Sequence, residues 1–147
     1  MRLVYLPLLV PQTAFVFGLQ VMFTSLRLDG TLGAIRRARP LLGERFLVLY
    51  GDTYLRIDYE AVDRAWRRTG LLGLMTVLHN QGRWERSNVE FRDGRVVAYD
   101  KHDPSPSMEW IDYGLGGLSA DALDEFGAGC DDLAGLYADL AASQELC

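Results

Sequence analysis

The chain has 147 residues, of which 49% are apolar, 24% charged and 11% aromatic. This composition is typical of one soluble globular domain that can bury a core, and it excludes collagen-like, disordered and coiled-coil chains. The formal net charge is −5. That charge excludes the broad basic face needed for non-specific binding to nucleic acid or to an anionic membrane. We therefore predict a single domain over residues 1–147, with neither nucleic acid nor membrane as a partner.

Lysine and cysteine are both rare in this sequence. Of the 15 basic side chains, Lys101 is the only lysine, so any chemistry that needs a lysine must use it. The two cysteines, Cys130 and Cys147, have no Cys-x-x-Cys spacing, and the chain has only two histidines. These counts argue against a zinc site and against a disulfide framework. Free thiols are typical of a reducing compartment, so the predicted location is the cytoplasm.

The first 23 residues are strongly apolar and allow two interpretations. Two prolines and two glutamines interrupt the stretch, which barely reaches the roughly 20 residues that a bilayer span needs. It also lacks the small-x-small cleavage site that follows a signal peptide. We favour two buried strands, near Leu3–Val10 and Leu19–Ser25. A membrane-associated chain with this stretch as its anchor stays open as the lesser alternative.

From residue 30 onward the pattern alternates between helices and strands. A glycine-opened turn at Gly30–Gly33 leads into a short helix that Pro40 ends or kinks. The apolar run within Arg45–Tyr50 predicts a strand that is buried on both faces of a parallel sheet. Asp58 then caps a helix that carries Trp66 on its buried face and ends at a glycine.

The second half of the chain continues the alternation. Asp93-Gly94 lies between two short alternating segments and is a strong hairpin signal, because both residue types tolerate positive φ. Strands alternate with helices, so the predicted fold class is α/β, with a mostly parallel sheet and one antiparallel hairpin. The remaining predicted elements are a strand over Leu72–Leu78, a Pro/Ser loop over His102–Ser107, a strand near Trp110–Leu118, a helix from Ser119 and a last helix capped by Asp131 or Asp132.

Ligands of open α/β sheets bind at the carboxyl ends of the strands. Asp52 follows a predicted strand and could hold Mg²⁺ through its carboxylate, while Gly51 lets a ligand approach the backbone. The same Gly-Asp-Thr sequence is equally well a plain turn. The Gly30–Gly33 loop is similarly ambiguous, because it could offer N–H groups to a ligand or only begin a helix. A lone lysine such as Lys101 is usually a solvated charge, although its presence in a chain that otherwise uses arginine is suggestive.

Five segments, taken together, carry a family resemblance. They are Gly30-Thr31-Leu32-Gly33-Ala34, Phe46-Leu47-Val48-Leu49-Tyr50-Gly51-Asp52, Asn88-Val89 with Asp93-Gly94-Arg95-Val96, Asp100-Lys101, and Ile111-Asp112-Tyr113-Gly114-Leu115. In this order they resemble the sugar-phosphate nucleotidyltransferases, or NDP-sugar pyrophosphorylases, with the bacterial heptose- and mannose-1-phosphate guanylyltransferases as the nearest type. The resemblance covers about Phe17 to Leu146. It implies a Rossmann-like nucleotide-diphospho-sugar transferase fold.

The resemblance also implies a reaction and three groups of site residues. A sugar 1-phosphate joins an NTP, with GTP slightly favoured, to give an NDP-sugar and pyrophosphate with Mg²⁺. Asp52 would hold the metal, and Lys101, which faces the sugar phosphate, is the second catalytic residue. Asp100 stands where the family usually has a Glu beside this lysine. The nucleotide group is Gly30, Thr31, Gly33 and Gly51, and the sugar-phosphate group is Asn88, Asp100, Asp112 and Gly114.

The implied chemistry needs no covalent nucleophile. An oxygen of the sugar phosphate attacks the α-phosphorus of the NTP in line, so positioning and charge neutralisation supply most of the catalysis. Mg²⁺ would bridge the reacting phosphates, and Lys101 would supply a compact positive charge. This agrees with a sequence that has no convincing Ser/His/Asp or Cys/His set.

Two departures from the family pattern affect the expected activity. Members open with a Gly-x-Gly-x-Arg-Leu loop and a Pro-Lys pair that wrap the triphosphate, and nothing in Met1–Gln20 resembles either. Members also continue past a helix like Leu133–Ala142 into a strand with a second acidic metal ligand, whereas this sequence stops at Cys147. We therefore expect a nucleotidyltransferase domain that is truncated at both ends and has low or no activity. The alternative is a non-catalytic sugar-phosphate-binding or subunit-partner protein. A homo-oligomer would cover exposed sheet edges in either case.

Overall fold

Five strands and four α-helices lie within residues 32–50, 55–130 and 132–147, which are the residues that the computed structural model describes. The two strands predicted near Leu3–Val10 and Leu19–Ser25 lie outside these ranges. The elements are α1 (Leu32–Ala38), β1 (Arg45–Leu49), α2 (Tyr59–Thr69), β2 (Gly73–His79), β3 (Val89–Arg92), β4 (Arg95–Tyr99), β5 (Trp110–Ser119), α3 (Ala120–Glu125) and α4 (Leu133–Ala142), with short 3₁₀ turns at Arg39–Leu41 and Gly127–Gly129.

The longest strand, β5, organises the sheet. Its residue Leu118 pairs with Phe46 of β1 and with Gly73 of β2, so β1 and β2 lie on opposite edges of β5. β3 joins the other end of β5 through a pair between Val89 and Trp110, and β4 continues outward from β3 as the second strand of a hairpin. Every one of these strand pairs is antiparallel.

The predicted mostly parallel, Rossmann-like sheet is therefore wrong. β1 and β2 do run in the same direction with α2 between them, because both are antiparallel to β5. They are not neighbours, however, since β5 lies between them. An apolar run carries no information on the direction of the strand beside it. The burial predicted for β1 is also wrong, because four of its residues are half-buried and Leu49 is exposed. Within the described residues, the one parallel contact outside this set is an isolated bridge between Gly73 and Leu146.

The local signals that begin and end the elements are confirmed. Asp58 caps α2 by accepting a hydrogen bond from the backbone N–H three residues later, and Gly70 ends that helix with a φ of 75°. Side chains of Ser119 and Asp132 cap α3 and α4 in the same way. These signals act within three or four residues, so they hold whatever the sheet topology is.

Two buried aromatic side chains pack on adjacent glycines of β5. A Cβ on Gly117 would lie 2.9 Å from Cζ3 of Trp66, which belongs to α2, and a Cβ on Gly116 would overlap the hydroxyl of Tyr137, which belongs to α4. Both aromatic residues are fully buried, which confirms the core position predicted for Trp66. Adjacent strand residues face opposite sides of a sheet, so α2 and α4 approach β5 from its two faces.

Candidate functional site

The sequence-predicted site residues fall into two groups. Gly30, Thr31, Gly51 and Asp52 lie outside the described residues, whereas Gly33 is the second residue of α1. The five remaining residues come from the two ends of the β3–β4 hairpin and from the first half of β5, namely Asn88, Asp100, Lys101, Asp112 and Gly114.

Four of these five residues line a single cavity of about 900 Å³, the exception being Asp100. The cavity lies beside β5, and its wall is completed by Tyr50 after β1 and by two loops, one between β2 and β3 and one between β4 and β5. The volume of this space falls within the range of small-molecule sites, and the cavity is broadly open to solvent, with a few polar groups among apolar and aromatic ones. Three of the four residues that the resemblance assigns to the sugar-phosphate group thus share one concave surface with Lys101.

The β3–β4 hairpin sets the positions of the two ends of this group. Asp93 and Gly94 both have positive φ, of 51° and 79°, as the hairpin prediction requires. The turn brings Asn88 level with Asp100, whose N–H donates to the carbonyl of Asn88 across 3.0 Å. Lys101, which follows the end of β4, therefore lies close to the start of β3.

A charged pair lies at the cavity between the hairpin and β5. Nζ of Lys101 is 4.0 Å from Oδ2 of Asp112, and the Asp112 side chain is only 5% exposed whereas that of Lys101 is 41% exposed. The same Nζ lies 5.3 Å from the ring centroid of Tyr50 and 5.9 Å from that of Tyr99. Both distances are within the range of a cation–π contact. The ammonium is thus held by a buried carboxylate and two aromatic rings while it stays open to the cavity.

The Asp112 carboxylate has further donors inside the protein. Its Oδ1 accepts from the N–H of Gly114 at 3.0 Å, and its Oδ2 accepts from the hydroxyl of Tyr99 at 3.4 Å. Burial, followed by the charge of Asp112, raises the pKa of Tyr99 well above its ordinary value. The Tyr99 hydroxyl therefore stays protonated and remains a donor to the carboxylate. The Asp112 carboxylate therefore holds Gly114 and Tyr99 in place, and only part of it can face the cavity.

Asn88 ties the hairpin to β5 by two hydrogen bonds and joins the two ends of the hairpin by a third. Its Oδ1 accepts from the N–H of Asp112 at 3.1 Å, and its own N–H donates to the carbonyl of Trp110 at 2.9 Å. The third bond is the one from the N–H of Asp100. Asn88 is buried, so these bonds are shielded from water. The residue fixes the distance between the strand of Asp112 and the end of β4.

Asp100 forms the turn that contains Lys101. Its Oδ1 accepts from the N–H of His102 at 2.8 Å and from that of Asp103 at 2.9 Å. These two backbone hydrogen bonds hold the pKa of the Asp100 carboxyl below its usual value, and the bond from Asp103 has the larger effect. The Asp100 carboxylate thus fixes the backbone conformation of the turn that contains Lys101.

Among the wall residues that sequence reasoning did not assign to a site are Trp84, Arg86 and Tyr113. One terminal nitrogen of Arg86 donates to the carbonyl of Pro104 at 2.8 Å, which links the β2–β3 loop to the β4–β5 loop. The one available signal was the position of Trp84 in the polar segment 81–87, where no apolar pattern explains a tryptophan.

Among residues 32–50, 55–130 and 132–147, no group of three or more His, Cys, Asp or Glu side chains could hold a metal ion. The buried Asp112 carboxylate already faces Gly114, Tyr99 and Lys101. Asp52, to which the resemblance assigns Mg²⁺, lies outside the described residues.

Neither the known protein-family models nor the curated proteins include a match to this chain. The resemblance to nucleotidyltransferases therefore rests on the five ordered segments alone. Within the part of the chain that the structure describes, no helix has the length and apolar character to cross a membrane.

Proposed function

We propose that the chain binds a sugar phosphate in the cavity beside β5, with Lys101 as the contact to the phosphate. The observation that supports this proposal is the position of the Lys101 ammonium, which Asp112 and two tyrosine rings hold at the cavity. A second support is that Asn88, Asp112 and Gly114, which the resemblance assigns to the same ligand, line the same cavity.

The chemistry of the lysine suits a phosphate ester. An ammonium has three N–H donors, and the pair with Asp112 occupies one direction, so the others can face phosphate oxygens. A compact point charge binds a tetrahedral anion without the fork geometry that an arginine imposes. Arg86 adds a second positive charge to the wall, and its bond to Pro104 restrains the direction of its guanidinium.

The proposed reaction is nucleotidyl transfer to the bound sugar 1-phosphate. An oxygen of its phosphate forms a bond to the α-phosphorus of an NTP, with GTP favoured, while the bond from that phosphorus to the bridging oxygen breaks and pyrophosphate leaves. Lys101 lowers the repulsion between the two anions by neutralising the acceptor phosphate. Mg²⁺, when bound, would neutralise charge on the triphosphate. Asp52, Gly30, Thr31 and Gly51, which enter the proposal from the sequence alone, would hold the metal and the nucleotide.

Calorimetric titration with mannose 1-phosphate tests the binding step. We expect Lys101→Met, which keeps the length of the side chain and removes its charge, to weaken binding by roughly tenfold or more, as loss of a charge-assisted hydrogen bond does. Arg83→Ala is the matched control, because Arg83 is exposed, carries the same charge and does not line the cavity. Equal affinities of the wild type and Lys101→Met would contradict the proposal, and so would a wild type that binds no sugar phosphate.

Release of pyrophosphate tests the transfer step. We expect release from GTP and a sugar 1-phosphate only with Mg²⁺, and we expect Asp52→Ala to abolish it. Lys101-dependent binding with no pyrophosphate release from any NTP would instead support the alternative function, a non-catalytic sugar-phosphate-binding protein.

A further inference from the structure

An exposed tryptophan belongs to the wall of the same cavity. Trp84 lies in the loop between β2 and β3, it lines the cavity, and 71% of its surface is exposed. Tryptophan is enriched at binding surfaces, because its large apolar ring carries a polar N–H at one edge. No element of the proposed reaction uses this ring.

The loop that carries Trp84 is braced from inside by one buried amide. Asn80 is only 1% exposed, and its Nδ2 donates to the carbonyl of Glu85 at 2.6 Å and to Oγ of Ser87 at 3.0 Å. Its Oδ1 accepts from the N–H of Trp84 at 3.0 Å, so both ends of the amide hold the loop. A buried polar group whose partners are all on one loop fixes the path of that loop. The backbone of Trp84 is thus set in place before any ligand arrives.

A second brace joins this loop to the segment that follows Lys101. The bond from Arg86 to the carbonyl of Pro104 spans the two loops, and Pro104 itself is buried in the cavity wall. Tyr113, another exposed aromatic residue at 39%, lines the same space from β5. Two partly solvated aromatic side chains and a held ammonium therefore share one cavity.

We infer that Trp84 selects the sugar: its indole packs on the apolar C–H face of a pyranose ring whose phosphate Lys101 holds. A pyranose presents its hydroxyls at the edge and its C–H groups on the faces, so a flat apolar ring covers what the hydroxyl contacts leave open. Asn80 already holds the backbone of Trp84, so less conformational entropy is lost when the indole contacts a ligand. This inference rests on the proposed function and names its substrate class, a cyclic sugar phosphate as opposed to an acyclic phosphate ester.

The test compares ligands that share the phosphate and differ in the ring. Calorimetric titration of the full chain with mannose 1-phosphate and with glycerol 3-phosphate gives a selectivity ratio for each variant. We expect Trp84→Ala to weaken mannose 1-phosphate by about tenfold, the scale of one lost aromatic contact, and to leave glycerol 3-phosphate unchanged. Trp84→Phe keeps an aromatic face and retains most of the selectivity. Arg83→Ala, an exposed neighbour outside the cavity wall, changes neither affinity.

The two proposals fail in distinguishable ways. Equal weakening of both ligands by Trp84→Ala, or no weakening of either, overturns the role of Trp84 while Lys101-dependent binding stands. A wild type that binds neither ligand, or binding that Lys101→Met leaves intact, overturns the sugar-phosphate site and the role of Trp84 with it. Because Trp84 is mostly exposed, we expect its variants to keep the wild-type circular dichroism spectrum.

Discussion

The carboxyl group of Asp112 is almost fully buried, with only 5% of its side chain exposed. A carboxylate removed from water is costly unless several donors replace the water. In this protein a backbone N–H and a tyrosine hydroxyl donate to it, and the Lys101 ammonium lies 4.0 Å from its Oδ2 as an ion-pair partner. In the pair of Lys101 and Asp112, the lysine is the exposed member. The buried Asp112 therefore sets the position of the Lys101 ammonium, which stays in contact with solvent. This arrangement keeps a positive charge available at the cavity in a chain whose formal net charge is −5.

Cys130 provides a pH test at the scale of a single residue. Burial, followed by the hydrogen bond from its Sγ to Oδ2 of Asp139 at 3.1 Å, raises the pKa of this thiol to about 11 from an ordinary value of 9.0. Between these two pH values the folded chain keeps the thiol proton and the unfolded chain loses it. The folded state then binds more protons, so the free energy of unfolding falls as the pH rises from about 9 to about 11.

The expected result is a stability difference between the wild type and Cys130→Ala that is largest below about pH 9 and shrinks toward about pH 11. Urea denaturation at neutral pH and at two pH values within that window measures it. Other groups that titrate in this range are common to both proteins and cancel in the difference. A difference that stays constant, or grows with pH, would show that the thiol does not have the raised pKa.

At the scale of one element, the turn after β4 decides how Lys101 is presented. Its two backbone N–H groups have Asp100 as their acceptor, and Asp100→Ala removes that acceptor. We expect this change to weaken binding of mannose 1-phosphate, whereas Asp100→Asn keeps an oxygen acceptor and binds nearly as well as the wild type. Calorimetry measures the affinities, and amide hydrogen exchange at His102 and Asp103 reports the turn directly.

Asp103→Ala is the matched control for this turn, since it removes an equal charge from an exposed position three residues later. Equal effects of Asp100→Ala and Asp103→Ala would reduce the role of Asp100 to its charge. The lowered pKa of Asp100 also sets a pH dependence. The support that the carboxylate gives the turn is complete above its ordinary pKa of 3.8 and is lost as the pH falls through its lower folded value.

At the scale of the whole molecule, the sequence predicted elements better than their arrangement. The cap at Asp58, the hairpin at Asp93-Gly94 and the strand over 72–78 were accessible because each depends on a few neighbouring residues. The place of β5 between β1 and β2 depends on pairs that are far apart in the sequence, such as Leu118 with Gly73. No local pattern encodes such a pair, so the predicted sheet direction was wrong.

For the candidate site, too, features of single residues were predictable from the sequence and tertiary contacts were not. Lys101 attracted attention as the only lysine, and the family resemblance grouped it with Asn88, Asp112 and Gly114. Their common cavity is a tertiary fact, as is the bond between Asn88 and Asp112, which lie 24 positions apart. Trp84 and the amide brace of Asn80 were missed because an exposed tryptophan and a buried asparagine both contradict the usual pattern of burial. Residues that break the usual pattern of burial are expected at functional or strained sites.

The two-sided packing on β5 can be tested at one glycine. A methyl group on Gly116 overlaps the hydroxyl of Tyr137, and Tyr137 is fully buried and cannot swing away into solvent. We expect Gly116→Ala to lower the free energy of unfolding by about 1–3 kcal/mol, the usual scale of overpacking in a core. Gly129→Ala, where a methyl group meets open space, is the control that should change little. Urea denaturation measures both.

The partner substitution Tyr137→Phe makes the test specific to this contact. Among the described residues the Tyr137 hydroxyl has no hydrogen-bond partner, so its removal costs little by itself. It also removes the atom nearest to the new methyl group, although the ring Cζ stays 2.7 Å from it. The clash is therefore relieved in part, and Gly116→Ala combined with Tyr137→Phe should be more stable than the sum of the single changes predicts. Strict additivity in this double-mutant cycle would mean that Gly116 does not make room for α4. The close approach of Tyr137 would then not be what requires a glycine at the centre of the sheet.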